Sequence, residues 1–372
     1  KGNYITADCY ADHFSSSYCF FKDNKTYNGK AGEEQVRKRT RNHNLSIKGI
    51  FKLGNRHKLS VGTEYIVDVL KSQTDNIAKE DAYTLALFAQ DEIKLLRNLQ
   101  ALIGVRYIYH ENFKNHATPN VALMYKPGKF NFRASYAAGF RTPTLSELYA
   151  TDIAKKNDRL TIGNLDLKSE KNNYFSLSAE YVHERFSVSV NAFYNNIRDM
   201  IDYNTIATGD KAMEQYGHKE VRQRDNIAEA KVHGINVSAN AYLGAGFNLS
   251  GGYTHLNTQD VELEQPIDKS IKNAYNINAQ WAHSWKIYRL NINLNGRINS
   301  KRFSKSYGYA PEYQLWNLNT RHSFNLKSVI IEPGCGMENL FDYMDDRPYN
   351  SNYATLTPGR SFYISLSLKF KS

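Results

Sequence analysis

The sequence predicts an all-β chain, a transmembrane antiparallel up-and-down β-barrel with about 16 strands. Three observations predict it. Apolar and polar residues alternate over segments of about 9–11 residues, the length a tilted strand needs to cross a bilayer. No segment approaches the roughly 18 apolar residues of a spanning helix, and mean hydropathy is −0.60. Connections between the alternating segments are by turns short and long, as in a barrel with tight turns at one rim and long loops at the other.

The alternation is clearest in three places. Over 289–299, Leu290, Ile292, Leu294, Gly296 and Ile298 interleave with Arg289, Asn291, Asn293, Asn295, Arg297 and Asn299. Over 130–141, Phe130, Phe132, Ala134, Tyr136, Ala138 and Phe140 interleave with more polar residues. Over 361–370, Phe362, Ile364, Leu366, Leu368 and Phe370 oppose Ser361, Tyr363, Ser365, Ser367 and Lys369. Successive strand side chains point to opposite faces, so each segment has one apolar and one polar face. A soluble β-sandwich alternates too, but its strands are shorter, about 5–6 residues.

Strands are read near 41–53, 57–70, 81–96, 99–110, 117–126, 129–141, 172–182, 185–202, 221–243, 247–258, 271–284, 288–300, 313–326, 328–341 and 360–370, with one more within 4–21. Tight turns fall at 54–56, 97–98, 127–128, around Glu184, at Gly244–Gly246, near 285–287 and near Lys327. Longer loops fall at 71–80, 111–116, 142–171, 203–220, 259–270, 301–312 and 342–359. If the long loops face outward, the last strand ends in the periplasm.

Composition agrees. Among 372 residues there are 27 Tyr and 18 Phe but only 8 Pro, which suits strands with interfacial aromatics. The formal charge of +11 is scattered rather than clustered, so it reads as solvated loops and a polar lumen, with no nucleic-acid partner. Cys9, Cys19 and Cys335 make no CxxC or zinc spacing; Cys9 and Cys19 are either a disulfide or two isolated thiols. Catalysis has no support: the chain contains no GxSxG, P-loop, HExxH or GxGxxG, and nothing calls for a cofactor or a metal site.

Six segments, in order, resemble the barrel of TonB-dependent receptors. Ala86-Leu87-Phe88-Ala89-Gln90-Asp91-Glu92 with Gly104-Val105-Arg106-Tyr107 resembles YAQDE and GxRYD. Gly139-Phe140-Arg141-Thr142-Pro143-Thr144-Leu145-Ser146-Glu147-Leu148-Tyr149 resembles FRAPxxxELY. Gly163-Asn164-Leu165-Asp166-Leu167-Lys168-Ser169-Glu170 resembles GNPDLKPE, with both prolines replaced. Asn191–Ile197 followed by Met200-Ile201, then Asn226–Ala230 with His233-Gly234, continue the series. Glu338-Asn339-Leu340-Phe341-Asp342 and Pro358-Gly359-Arg360-Ser361-Phe362 close it, and Phe370 resembles the family's terminal aromatic. Bland roles stand beside these matches: Pro143 holds Thr142 extended, Asn339 and Asp342 suit a turn, and Gly359 permits a positive φ.

The resemblance implies a 22-stranded outer-membrane barrel with an N-terminal plug and a TonB box. Neither plug nor box has a counterpart here, so residues 1–372 are expected to be an N-terminally truncated barrel. The implied partners are outer-membrane lipid and lipopolysaccharide, the TonB complex through the plug, and a metal-chelate or tetrapyrrole ligand. A ferric siderophore or haem is the leading ligand; a cobalamin receptor, a passive porin-like channel and a secreted β-rich binding protein are the alternatives. Candidate ligand contacts are Arg141, Glu147, Tyr149, Lys155, Lys156 and Arg159 in the 142–171 loop region, with His218 beyond it. The cations suit an anionic chelate, though solvated or lipopolysaccharide-facing loop charge is the commoner reason for such residues. Residues 144–163 lack the histidine that haem receptors of the family carry there, which leaves His218 as the haem candidate.

Overall fold

The structure, a computed structural model, describes residues 2–25, 28–154, 157–304, 308–345 and 357–371. Seven strands open the chain: β1 (Tyr4–Cys19), β2 (Glu34–Leu53), β3 (His57–Ser72), β4 (Ile77–Leu96), β5 (Leu99–His110), β6 (Lys114–Tyr125) and β7 (Phe130–Arg141). The next connection carries helix α1 (Leu145–Tyr149) and the short strands β8 (Thr151–Ala154) and β9 (Arg159–Ile162). There follow β10 (Glu170–Val182), β11 (Phe186–Thr208), helix α2 (Gly209–Tyr216), β12 (Glu220–Gly244), β13 (Phe247–Asp260), β14 (Asn273–Trp285) and β15 (Tyr288–Asn299). A short hairpin, β16 (Arg302–Ser304) and β17 (Gly308–Ala310), precedes β18 (Tyr313–Asn325), β19 (Val329–Glu338) and β20 (Ser361–Phe370).

Sixteen of these strands have ten or more residues, as the alternation predicts, and no helix among the described residues is long and apolar enough to cross a membrane. Chain neighbours pair antiparallel from β1 to β5 and from β12 through β15 and β18 to β20. One parallel pair, β9 with Glu220–Gln223 of β12, is an addition no alternation pattern forecasts. Two expected long loops are tight turns instead. β3 and β4 run on until only 73–76 separates them, and β5 and β6 are separated by 111–113. Ser72, Ile77 and His110 are buried there, which continues the strands past the bilayer-length segments. Cys9 and Cys19 are both free on β1. Ten residues apart on one strand, they are separated by roughly 33 Å and cannot be bridged.

The chain divides into two compact units, residues 1–123, 135–174 and 196–229 in the first and 124–134, 175–195 and 230–372 in the second. In the first, the β1–β5 ladder presents one polar and one apolar face. On the polar face Asn42 donates to Asp68 at 2.8 Å, Asn44 to Glu64 at 2.7 Å, and Arg106 pairs with Glu64. The apolar face exposes Leu45, Ile47, Leu85, Leu87, Ile103 and Val105. Such a surface is too large and continuous for water and is the outer band of a lipid-facing sheet.

The second unit repeats the arrangement. Leu294 lies opposite Leu318, Leu318 opposite Met337, and Met337 opposite Phe362, forming one apolar row. On β20 that face is bare, with Ile364 89% and Phe370 81% exposed. At the β14–β15 turn Trp281, Trp285, Tyr288 and Phe324 pack at 5.0–6.1 Å between ring centres, an aromatic girdle of the kind placed at a membrane interface. The other face is carboxamide: Asn278 donates to Asn295 at 2.5 Å and to Asn293 at 3.3 Å. Asn291, Asn293, Asn295, Asn319, Arg321 and Tyr363 line a groove of about 390 Å³ there.

Substituting arginine on the two faces of β15 should have unequal effects. Leu294→Arg is expected to cost about 2–4 kcal/mol where the side chain meets hydrocarbon, and Asn293→Arg clearly less. Urea unfolding of the full receptor in lipid vesicles reads both; equal costs would reverse or abolish the assignment of faces.

Candidate functional site

The described residues of the loop between β7 and β10, in the first unit, are folded rather than free. Its root is Arg141, the last residue of β7. The guanidinium Nε donates to Glu170 at 2.8 Å and Nη2 to Glu170 at 2.5 Å, while Nη1 and Nη2 donate to Glu147 at 2.8 and 3.2 Å. Two bidentate carboxylates thus occupy the fork of one arginine, the geometry for which arginine is suited and lysine is not. Glu170 also accepts the Ile201 N–H at 2.9 Å, so one cluster ties the end of β7 and the start of β10 to β11 and to α1.

Helix α1 begins where Pro143 ends the strand. Thr144 is its N-cap, and a capping box is complete: the Glu147 N–H donates to the Thr144 hydroxyl oxygen at 3.2 Å and the Thr144 N–H to the Glu147 carboxylate at 2.8 Å. Burial works to raise the Glu147 carboxyl, but the Arg141 hydrogen bond and the Thr144 N–H outweigh it and hold it below the usual carboxylate range. Leu148, Leu167 and Ile201 form a small core beneath, with Phe113 and Tyr149 against it. Tyr149 is half-buried, and burial followed by the charges of Glu80 and Glu111 raises its phenol.

The second half of the loop closes on the first. The Gly163 N–H donates to Ala150 at 2.7 Å and the Asn164 N–H to Glu147 at 3.0 Å. A Cβ on Gly163 would stand 2.4 Å from the Leu148 carbonyl oxygen, so only glycine permits this approach. Asn164 accepts the Asp166 N–H at 2.9 Å, an Asx turn that aims Leu167 into the core. Asn226 on β12 grips the same stretch, accepting the Lys168 N–H at 2.7 Å and donating to the Lys168 and Asp199 carbonyls at 2.9 and 2.6 Å.

Asp75, in the tight β3–β4 turn, anchors the other flank. Its carboxylate accepts the Ser146 hydroxyl at 3.0 Å and pairs with Lys38 at 3.7 Å, and its carbonyl accepts the Thr151 N–H at 2.8 Å. Asp152 on β8 is raised by burial and by the Asp75 charge, against the pull of Arg159. Arg159 leads β9 into the parallel pairing with β12. His218, just after the α2 C-cap glycine Gly217, shares Nδ1 with Asp158 at 2.8 Å. The hydrogen bond with His218 holds the Asp158 carboxyl below its ordinary value. Beside Asn226, on the same face of β12, the Arg224 guanidinium lies 3.5 Å from the centre of the Tyr203 ring and donates to its hydroxyl at 2.6 Å.

The candidate residues therefore separate. Arg141 and Glu147 bind each other, His218 binds Asp158, and Tyr149 and Arg159 stand on the same loop. Lys155 and Lys156 lie outside the described residues. Glu170 and Asn226 sat inside segments already matched, yet their clamping roles follow only from the fold; Asp75 and Arg224 gave no sequence signal. Among the described residues no three His, Cys, Asp or Glu side chains gather as a metal site.

The closing segment sits in the second unit. Asn339, buried with φ +52°, donates to the Tyr343 and Pro358 carbonyls at 2.7 and 3.1 Å and accepts the Tyr343 N–H at 2.9 Å. Asp342, φ +55°, accepts the Arg360 N–H at 2.6 Å. Gly359 is not at positive φ, contrary to the sequence reading. A Cβ there would meet Asp342 Oδ1 at 3.0 Å, so its smallness serves a close approach instead. Phe370 lies on the bare apolar face of β20.

Residues 3–340 match the family described as TonB dependent receptor-like, beta-barrel. The chain belongs to that family. It is 23% identical to the ferric enterobactin receptor of Pseudomonas aeruginosa over 86% of this chain and 49% of the relative. A crystal structure of a variant of that receptor superposes with a TM-score of 0.80 at 18% identity, over 99% of this chain and 59% of the other. The siderophore receptor PirA of the same organism gives 0.70 at 17% identity over 100% and 64%, and the FrpB iron transporter of Neisseria meningitidis 0.71 at 14% over 98% and 59%. The chain thus spans about half the length of the curated relative it matches.

The ionised Glu147 is part of the loop root, and its depressed carboxyl sets a sign. The stabilisation is full above the ordinary carboxylate range near pH 4.3 and is lost as pH falls through the depressed native value. Limited proteolysis within 142–169 should stay slow from pH 7 to about 5 and accelerate below 4. Arg141→Gln should give the fast, acid-like pattern at pH 7, with a coupling to Glu147 on the order of 1 kcal/mol after screening. A pattern unchanged in Arg141→Gln would show that the cluster does not hold the loop.

Proposed function

We propose that this chain is the barrel part of an outer-membrane receptor that imports a ferric siderophore with energy delivered through TonB. The observation carrying it is the 142–169 loop, whose described residues are clamped by Asp75, Arg141 and Asn226 beside the half-buried Arg224 and the exposed Tyr203. A passive channel needs no such built surface at its rim. Family membership supports a transport role rather than an enzymatic one, and relatives named for ferric enterobactin and for siderophores support an iron chelate as cargo.

In this reading Arg224 with Tyr203, Arg159 and Tyr149 meet the chelate, because a cation over an aromatic ring suits an anionic, aromatic-bearing ligand. The metal arrives inside its chelator as cargo, so the protein supplies orientation and charge. Arg141, Glu147 and the Asp158–His218 pair position the loop.

The test is uptake by the full receptor in an outer membrane, with and without TonB, using radioactive iron as ferric enterobactin beside haem and cobalamin. TonB-dependent iron uptake is expected, abolished by deleting residues 144–163 while the barrel still assembles. Uptake of haem or cobalamin in its place, or an open conductance that ignores TonB, would overturn the reading.

A further inference from the structure

The polar face of the second unit carries charge that its own residues leave uncompensated. Register fixes the positions. Across β15 and β18 Arg289 stands opposite Ser323 and Asn291 opposite Arg321. The two arginines are therefore diagonal neighbours, roughly 7–8 Å apart at the backbone. The row of Arg321 continues through Gly334 to Ser365, and the next row runs from Asn293 through Asn319 and Gly336 to Tyr363. The last ladder row at the tight-turn rim is Asn325, Ile330 and Lys369. Counted from it, Arg289, Arg321 and Tyr363 stand at heights of roughly 7, 13 and 20 Å. All three lie within the strands rather than on loops.

Here the sheet forms an open trough. β19 contributes Gly334 and Gly336 to its floor. A Cβ on Gly336 would stand 2.4 Å from the Tyr363 ring, so only glycine lets that ring lie across the strand. The Tyr363 side of the trough is 42% exposed, and its hydroxyl has no hydrogen-bond partner among the described residues. With Asn291, Asn319, Arg321 and Ser365 it lines the groove of about 390 Å³. Asn293 and Asn295 are occupied by Asn278, whereas the Asn291 and Asn319 side chains make no hydrogen bond among the described residues. The nearby carboxylates are also engaged. Glu332 pairs with Lys369 at 2.6 Å, and Glu338 accepts the Ser361 hydroxyl at 3.5 Å. Arg321 feels the Glu332 charge, yet neither Arg289 nor Arg321 forms an ion pair or hydrogen bond among the described residues, and both are exposed.

We propose that Arg289, Arg321 and Tyr363 form a transit station, on the polar face within the strands, for an anionic aryl group of the chelate as it passes inward. The station shares no residue with the 142–169 loop surface, and it rests on the reading of the chain as a siderophore receptor. Two diagonal guanidiniums with no carboxylate between them match acidic oxygens from two sides. The exposed Tyr363 ring offers a stacking surface to an aryl group. The free carboxamides of Asn291 and Asn319 donate or accept as the guest requires. Repulsion between the arginines is relieved while the anion sits between them and returns when it leaves. The station therefore governs the rate of passage rather than the first capture of the chelate.

The experiment gives radioactive iron, as ferric enterobactin, to cells carrying the full receptor. Surface binding is read in cells lacking TonB and maximal uptake rate in cells that have it, at matched amounts of folded receptor. R289Q/R321Q should lower maximal uptake at least fivefold while the surface Kd stays within twofold, and R289K/R321K should keep uptake within threefold of the unmodified receptor. Y363L, which keeps bulk and loses the ring, should lower uptake about threefold, and Y363F should leave it within twofold. N240Q, on the same polar face three strands from β15, should change neither quantity. Should the double variant assemble poorly, R321Q alone should lower uptake about threefold. Undiminished uptake in R289Q/R321Q, or in R321Q where the double variant does not assemble, would overturn the proposal. So would an equal fall in R289K/R321K, a parallel loss of surface binding, or an unchanged rate in Y363L, which would leave charge without aryl recognition. Absence of TonB-dependent iron uptake in the unmodified receptor would instead defeat the siderophore reading on which the station rests, so the two failures are told apart.

Discussion

A strand in a bilayer has two faces and no water to satisfy its backbone, and the rest of this chain follows from that constraint. Each N–H and C=O in hydrocarbon must find a neighbouring strand, because an unpaired group there costs several kcal/mol. Pairing leaves only side chains to distinguish the faces. The apolar face needs nothing beyond lipid, which is why Ile364 and Phe370 tolerate exposures that would be liabilities in water. The polar face must satisfy its own groups or hold water. Asn278, Asn293 and Asn295 do so by bonding to one another, while Glu64 collects Asn44 and Arg106.

The same rule explains why the 142–169 loop can be ordered without a large core. Leu148, Leu167 and Ile201 form a patch too small to fold a loop by burial alone. Directed bonds to strand ends supply the remainder. Arg141 joins two carboxylates, Asn226 grips a backbone amide on both sides, and Asp75 receives bonds from α1 and β8. These anchors sit on strands held by the ladder, so the rigidity of the loop is borrowed from the sheet. A binding surface placed on rigid elements loses less entropy when a ligand arrives.

What the sequence revealed and what it concealed divide along the same line. Strand positions follow from a period of two residues, a local property, so fourteen of the sixteen long strands were legible within four residues of their ends, while β2 begins seven residues earlier and β11 ends six residues later than their alternation showed. Pro143, Asn164, Asn339 and Asp342 were legible as turn and strand-end devices because their chemistry is also local. Partnerships across the chain were not. Nothing in the spacing ties Asp75 to Ser146 or Arg141 to Glu170, and the parallel β9–β12 pairing joins segments of four residues each. The tight turns at 73–76 and 111–113 were hidden for another reason. Strand residues beyond the bilayer lose the apolar alternation that marks a membrane crossing, although they keep their ladder bonds.

Charge placement shows the consequence most plainly. A total of +11 scattered along the chain carries no message as composition. Register converts it into positions. Arg106 faces Glu64, Arg141 faces two carboxylates, Arg224 covers Tyr203, and each thereby has a local function. Arg39 and Lys71 instead face each other on the side that meets lipid. Repulsion between them is a cost the folded sheet bears without return from any of its own described groups.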